Sequence, residues 1–268
     1  MCLKPEYFNS IHTNLDGDLW FEVHAENYLI QGGPRLEKLQ DIASHFPISI
    51  HGVGASLGGP DPISKEHLDR LTNLLKLIPS AAFSEHIAWS GTQGNYLGNL
   101  MPTPLTKQSL NNTAQNILQF QNALQRPILV ENPANYLNFK SEMPESEFMM
   151  SLVQKTECGI LLDVNNLFLS ANNTGVDAHS YIRDLDPNVV GEIHIAGHSK
   201  DPIEKGLLID SHDSPVSKEV WELLQTTLSL LGPKPVLIER DDNLPTFDVL
   251  LDERNMAQKL INSYKNLV

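Results

Sequence analysis

Short apolar runs alternate along the chain with longer stretches of helical period. Residues 21–28 read as a strand and residues 36–45 as a helix. The alternation continues with strands over 47–54, 81–89, 127–131, 159–164, 189–196, 207–210 and 235–239. Helices are expected over 64–78, 106–124, 144–156, 177–185, 217–231 and 245–264. Ser64 and Glu66 sit in the first turn of one helix and Pro79 lies just beyond its end. Pro144 opens another helix, where its missing N–H costs nothing, and Gly232-Pro233 closes a third. The runs Ile128-Leu129-Val130, Ile160-Leu161-Leu162 and Val236-Leu237-Ile238 are apolar at successive positions, as strands buried on both faces are. Such strands alternating with helices specify a parallel sheet. Eight of them predict an α/β fold closed into a TIM-type (β/α)8 barrel. An open doubly wound sheet is the runner-up, and no G-x-G-x-x-G follows the first strand to support it. Residues 197–206 give no helix, so a loop is expected between the sixth and seventh strands.

A length of 268 residues suits one barrel domain spanning 1–268, since such a barrel takes about 250 residues. The hydrophobic content of 41% supplies a substantial core. Two cysteines, Cys2 and Cys158, are too few for a disulfide framework. Cys2 is expected on a floppy terminus, and the compartment is expected to be reduced and cytoplasmic. Residues 1–20 carry polar residues throughout and have no apolar leader region, and no run approaches the roughly 20 apolar residues of a membrane helix. The formal charge is −14 and no Lys/Arg cluster exceeds a pair. Such a chain repels phosphate backbones, so neither nucleic acid nor membrane is an expected partner.

What ends each strand changes the picture. His51 lies in strand two, His86 in strand three, and Glu131 ends strand four. Asp163 ends strand five, His194 sits in strand six, Asp210 and His212 end strand seven, and Glu239 ends strand eight. A barrel of this type builds its active site at the C-terminal strand ends, from several strands at once. Histidines and carboxylates are costly to bury unless paired or metal-bound. Imidazole with carboxylate, and no thiolate, is a ligand set for iron, manganese or zinc. Asp210 and His212 are two apart, so on a strand they face the same way. Any one of these residues would be a weak signal; together they predict a cluster of two or three metal ions at the C-terminal mouth.

Blander roles have to be weighed against that cluster. A lone strand histidine is more often a hydrogen-bonded core residue, which suits His24; Glu22 and Glu26 share its face and are expected as neighbours of the ligands or as pocket residues. His12, His45, His67 and His179 fall on loops or helix surfaces and carry no assigned role. A carboxylate after a strand is often a helix cap. Glu131 is followed by Asn132-Pro133 rather than a helix start, and Glu239 directly follows an apolar strand, so a cap explains neither.

The ligand order resembles that of the xylose-isomerase-like barrels, endonuclease IV in particular. That enzyme holds three zinc ions, with a bridging Glu and a His three residues after the Asp. Here Asn166 stands at that position, so a zinc-type third site loses a ligand. A closer resemblance covers most of the chain. It is carried by Phe21-Glu22-Val23-His24-Ala25-Glu26-Asn27-Tyr28, His51-Gly52-Val53-Gly54, Ser84-Glu85-His86-Ile87-Ala88-Trp89-Ser90, Glu131-Asn132-Pro133 and Leu162-Asp163-Val164-Asn165-Asn166. Glu192-Ile193-His194-Ile195-Ala196-Gly197-His198, Ile209-Asp210-Ser211-His212-Asp213 and Ile238-Glu239-Arg240-Asp241 complete it. These eight motifs, in order, resemble the multinuclear non-heme iron-dependent oxidases, the family that includes the iron enzyme of methanobactin biosynthesis.

The resemblance implies an iron enzyme, with two or three Fe2+/Fe3+ per chain, that uses O2 to remodel a cysteine of a ribosomally made precursor peptide. A small partner protein that presents the peptide is also implied. By the same resemblance, Glu131 bridges two irons, His51 and His86 hold one, and Asp163, His194 and Glu239 hold the other. Asn166, Asp210 and His212 surround a third position. His198 and Arg240 are expected beside the ligands or against substrate. The residues themselves also permit a zinc or manganese phosphodiesterase, against which the charge and Asn166 stand. A divalent-metal sugar isomerase or epimerase would need only Glu131, Asp163, His194 and Glu239, leaving His51, His86 and His212 unexplained. A non-catalytic metal- or peptide-binding protein remains the alternative from a different class.

Overall fold

The computed structural model describes residues 1–11, 15, 18–92 and 95–265. In chain order the elements are β1 (Phe21–His24), α1 (Pro34–Ala43), β2 (Ile48–Gly52), α2 (Lys65–Leu77), β3 (Ser80–His86), β4 (Ala88–Thr92), β5 (Asn95–Pro102), α3 (Lys107–Leu124), β6 (Leu129–Glu131) and α4 (Glu145–Thr156). There follow β7 (Gly159–Asp163), α5 (Val164–Thr174), α6 (Ala178–Asp184), β8 (Val190–Ala196), β9 (Ser199–Lys200), β10 (Leu208–Ile209), α7 (Lys218–Leu231), β11 (Val236–Glu239) and α8 (Phe247–Lys265). Seven strands form one parallel sheet in the order β1-β2-β3-β6-β7-β8-β11. Each strand neighbours the next one in sequence, which is the order of a barrel and not of a doubly wound sheet.

The edges of that sheet are joined by residues 1–3. The Cys2 N–H donates to Ile238 O on β11 at 3.1 Å, while Leu3 N–H donates to Glu22 O on β1 at 2.7 Å. Cys2 also forms a parallel bridge to Glu22, and its thiol sits against the Arg240 backbone. The floppy terminus expected for Cys2 is therefore corrected. The residue is 6% exposed and occupies the place where the circle closes.

The eighth strand expected over 207–210 does not enter the barrel. Leu208 and Ile209 pair antiparallel with β9 in a separate two-stranded ribbon. A parallel crossover needs a dozen or more residues, usually a helix. The stretch after β8 has none, so the chain turns back on itself there. Strand β1 is also shorter than expected, ending at His24 and continuing as a 3-10 turn over Ala25–Tyr28. The expected strand over 81–89 divides at Ile87 into the barrel strand β3 and an outer hairpin, β4 with β5.

The strands alternate between two environments. Phe21, Ile50, Phe83, Val130, Ile160, Ile193 and Ile238 belong to the apolar layer between barrel and helices. Phe83 meets Phe120 of α3 with ring centroids 5.4 Å apart. The intervening positions face inward, where Ser49 meets Glu22 and His51 meets Ser84. Helix starts are fixed by side-chain caps, which add about 1 kcal/mol each: Ser64 accepts from His67 N, Thr106 from Ser109 N, Asp177 from Ser180 N and Ser217 from Val220 N. No described helix is long and apolar enough to cross a membrane.

Candidate metal centre

Strand register assembles the first group. His86 pairs with Glu131 across β3 and β6, and His51 lies one strand further along, beside Ser84. Glu131 Oε2 lies 3.2 Å from His51 Nε2 and 3.3 Å from His86 Nε2. The other nitrogen of each ring is already held. His51 Nδ1 lies 2.7 Å from Ser84 Oγ and His86 Nδ1 lies 3.2 Å from Gly52 O. Both Nε2 atoms thus converge on one carboxylate oxygen. Burial, reinforced by the surrounding histidines, pushes His51 well below its ordinary pKa; burial pushes His86 down to about 4. Both rings are neutral near pH 7, the form in which imidazole binds a metal.

Two further groups are chained to the first, one through Glu131 and the next through Asp163. Glu131, Asp163 and His194 each present a ligand atom, all mutually within 4.8 Å, and so do Asp163, His212 and Glu239. Asp163 pairs with His194 in the β7–β8 register. Its backbone is locked by Asn132, whose Oδ1 accepts from Asp163 N at 2.8 Å and whose Nδ2 donates to Asp163 O at 2.9 Å. Asp163 Oδ1 caps α5 by accepting from Asn166 N at 2.6 Å, leaving Oδ2 free. The cap role therefore does apply to Asp163, but it uses one oxygen only. Asn166 Nδ2 donates to Glu131 Oε1 at 3.2 Å.

His212 arrives differently. It is not on a strand but has φ +49°, and its N–H donates to Gly197 O at 3.1 Å. A Cβ on Gly197 would lie 1.9 Å from Ser214 O, so only glycine lets this segment close onto the end of β8. His212 Nε2 then lies 2.7 Å from Asp210 Oδ1, and Nδ1 lies 3.1 Å from Asp241 Oδ2. The two residues expected to share a strand face do meet, through a loop rather than through a pleat.

The carboxylates and imidazoles of this cluster shift one another's protonation. Burial drives Glu131 well above its ordinary pKa, and burial with the nearby Glu239 and Asp210 carboxylates drives Asp163 up to about 8. Burial alone would lower His194 and His212, but the carboxylates around them outweigh it and raise both well above 6.5. Those same imidazoles hold Glu239 down to about 2 against the effect of burial. Five buried atoms of the group make no aligned hydrogen bond, though His212 Nε2, His194 Nδ1 and Glu131 Oε2 lie against oppositely charged neighbours: Glu131 Oε2, Asp163 Oδ2, Asn166 Oδ1, His194 Nδ1 and His212 Nε2. Buried polar atoms are nearly always satisfied. Nitrogen and oxygen lone pairs left open in one place, without thiolate, fit a cluster of iron, manganese or zinc.

The remaining expected residues fall at different distances from this centre. Asp210 accepts from Asn165 Nδ2 at 2.9 Å, and Asn165 Oδ1 lies 3.0 Å from His198 Nδ1. His198 also packs against Phe168 with ring centroids 5.3 Å apart, at the rim beside Asp210. Arg240 is not brought to the centre. Strand alternation sends Glu239 inward and Arg240 outward, where its guanidinium pairs with Glu253 of α8 at 3.0 Å. His24 faces His51 with centroids 5.8 Å apart. Glu26 does not share its face: the strand ends before it, and its carboxylate accepts from the N–H groups of Val53 and Gly54. His67 is mostly buried against Glu26 rather than free on a helix surface. His45 and His179 are exposed, and His12 lies outside the described residues.

Sequence reasoning gave no role to Asp241 or Glu192, and placed Glu22 only as a neighbour of the ligands or a pocket residue. Asp241 holds His212 from outside and is itself paired with Lys4. Glu22 and Glu192 both reach His194 Nε2. The signal for Glu192 was present in its spacing: it stands two residues before His194 on one strand, hence on the same face.

Comparison with known proteins agrees with this geometry. Residues 1–262 match the family model described as RiPP precursor modification enzyme MbnB/TglH/ChrH. A UPF0276 protein of Caulobacter vibrioides is 43% identical over 263 residues, covering 97% of this chain and 94% of that protein. Among solved structures, D-psicose 3-epimerase from Clostridium cellulolyticum H10 superposes with a TM-score of 0.59 at 9% identity, covering 99% of this chain and 93% of that one. A xylose isomerase domain protein from Planctomyces limnophilus gives a TM-score of 0.56 at 14% identity, with 92% and 89% covered. At such identities these two structures speak for the fold alone. The fold is thus a xylose-isomerase-like TIM barrel, and the chain belongs to the MbnB/TglH/ChrH family of RiPP precursor modification enzymes.

Proposed function

We propose that the protein is a multinuclear non-heme iron oxidase that uses O2 to modify a cysteine of a ribosomally synthesised precursor peptide. One observation carries the metal part: five buried atoms without an aligned hydrogen bond converge from β6, β7, β8, α5 and the loop before α7. Family membership supports the peptide part. In this assignment His51, His86 and Glu131 hold one metal, and Glu131 with Asp163, His194 and Glu239 holds a second. Asn166, Asp210 and His212 surround the third position. A sugar epimerase would leave His51, His86 and His212 idle, whereas here all three lie among the cluster's carboxylates.

Bound iron would supply a Lewis acid that lowers the substrate thiol's pKa and a redox couple able to engage O2. The residues do the rest. Ser84 and the Gly52 carbonyl orient the His51 and His86 rings so that both Nε2 atoms face Glu131. Asn132 fixes the Asp163 backbone, and Asn166 steadies Glu131 from its other oxygen. Buried walls keep water from the open ligand atoms, and His198 stands at the rim where a peptide would enter. The acidic chain, at −14, favours a basic peptide.

The test is elemental analysis with Mössbauer and EPR spectroscopy on anaerobically purified protein. Two or more coupled irons per chain, partly ferrous, support the oxidase. Stoichiometric zinc without iron, after iron-replete expression, replaces it with a hydrolase.

A further inference from the structure

Beneath the metal centre, one tier deeper in the barrel, lie two carboxylates that no ligand role requires. Glu22 on β1 and Glu192 on β8 are 2% and 3% exposed. Barrel interiors are ordinarily filled by branched apolar side chains, and burying a carboxylate is costly unless it is paired. Both aim at one atom. His194 Nε2 lies 3.3 Å from Glu22 Oε1 and 3.1 Å from Glu192 Oε1. Glu22 is itself held, because its Oε2 accepts from Ser49 Oγ at 2.8 Å and its backbone is tied to residues 1 and 3. Glu192 is fixed by the strand that also carries His194. At the opposite side of the imidazole, Nδ1 has no hydrogen-bond partner and lies 3.3 Å from Glu239 Oε2.

We propose that Glu22 and Glu192 are positioning residues that hold His194 from below by its Nε2–H, committing its Nδ1 lone pair to the metal centre. With two carboxyl groups within 3.3 Å and no other side chain reaching it among the ion pairs described, this nitrogen is placed to donate. The ring is 0% exposed and cannot turn over without breaking both contacts. Ligating histidines generally donate their second N–H to such an acceptor, which fixes the tautomer and raises ligand basicity. The doubled acceptor, anchored in turn by Ser49 and the barrel closure, ties this ligand to the point where the first and last strands meet. The proposal rests on His194 being a metal ligand.

The test uses the whole chain, metal-free and then titrated with zinc against a chelator. The variant Glu192→Ala is expected to weaken binding at the His194 site by about 10- to 100-fold. Glu192→Gln, whose amide oxygen can still accept the Nε2–H, is expected to recover most of that loss. In 15N-histidine-labelled, zinc-loaded protein, His194 should appear as the Nε2–H tautomer in the wild type and in Glu192→Gln. Melting of the metal-free forms monitors folding; if Glu192→Ala does not fold, the tautomer in Glu192→Gln and Glu22→Gln decides alone. Unchanged affinity in Glu192→Ala, equal losses in Ala and Gln variants, or an Nδ1–H tautomer would each overturn the proposal. So would loss of one whole metal equivalent with the others kept, since Glu22, Glu192 and His194 would then hold an ion of their own. Zinc affinity and tautomer do not depend on O2 or peptide, so failure of the oxidase assignment would leave this result standing.

Discussion

Two clusters of histidine and carboxylate meet at β3, which gives Glu85 to one and His86 to the other, and they differ in what their lone pairs face. Inside the barrel, His51, His86 and Glu131 converge with Glu131 Oε2 unpartnered. Just outside the wall, Glu26, His67 and Glu85 also place ligand atoms within 4.8 Å of one another. There, however, four backbone N–H groups are already committed. Val53 and Gly54 donate to Glu26, and Ala55 and His86 donate to Glu85. His67 Nε2 has no hydrogen bond, but it stands 3.8 Å from Glu26 Oε1, and the Arg70 guanidinium lies near it. Both groups are built only from histidine and glutamate. What separates them is that one cluster's carboxylates fold a loop while the other's remain open to a cation.

The largest effect that would sharpen this contrast is at Glu131, which belongs to two of the inner groups. Glu131→Ala should remove metal from both, whereas His86→Ala should remove one equivalent; metal analysis after anaerobic reconstitution reads the difference. Unchanged content in both variants would sink the assignment.

The next effect is on pH. Asp163 is raised to about 8 by burial and by the neighbouring Glu239 and Asp210 carboxylates, and His194 and His212 are raised well above 6.5. Those groups carry protons near pH 7 in the metal-free protein and must lose them when a metal binds. Protons then compete with metal, so affinity rises with pH through this range as Asp163, His194 and His212 lose theirs. Each proton released changes the apparent constant by about tenfold per pH unit. Zinc titrations at pH 6, 7 and 8, with proton release followed by an indicator, check both sign and slope. An affinity that is flat across this range would mean that the ligands are not protonated beforehand.

The inner cluster was legible in the sequence because barrel geometry brings every strand's C-terminal residue to one mouth. Polar residues at seven such positions are a collective signal that needs no knowledge of contacts. The helix starts at 64, 106, 177 and 217 were legible for a local reason: each falls at a Ser, Thr or Asp whose side-chain oxygen accepts from an N–H three residues on. What could not be read depends on distant partners. The segment holding Leu208 and Ile209 has the pattern of a barrel strand, and only the missing crossover sends it into a ribbon with β9. The place of Cys2 depends on Ile238, 236 positions away, with no local pattern to announce it. Helix α5 was missed because Val164–Thr174 is rich in asparagine, a poor helix former. It forms where the Asp163 cap and the buried Asn165 and Asn166 fix its first turn.

A smaller effect tests the outer cluster. Glu26→Ala leaves the Val53 and Gly54 N–H groups without their acceptor, at a cost of about 1 to 3 kcal/mol where water cannot replace it. Thermal melting should show that loss while metal content stays at the wild-type value. A variant that lost a metal equivalent instead would turn the outer cluster into a site and erase the distinction drawn from its backbone partners.

The smallest effect expected is at His45, and it probes the same rule from the other side. This ring is exposed at the end of α1, where Nδ1 lies 2.9 Å from Asp41 O and 2.9 Å from Ser44 Oγ. It is exposed and belongs to none of the candidate ligand groups, so neither metal chemistry nor core packing depends on it. His45→Ala should leave metal content unchanged and alter stability by about 0.5 kcal/mol or less, as surface substitutions do. Metal analysis and melting of this variant beside His86→Ala compare two histidines that differ in burial and partner rather than in kind. If His45→Ala lost metal, the placement of α1 and β2, and with it the inward face that carries His51, would have to be redrawn.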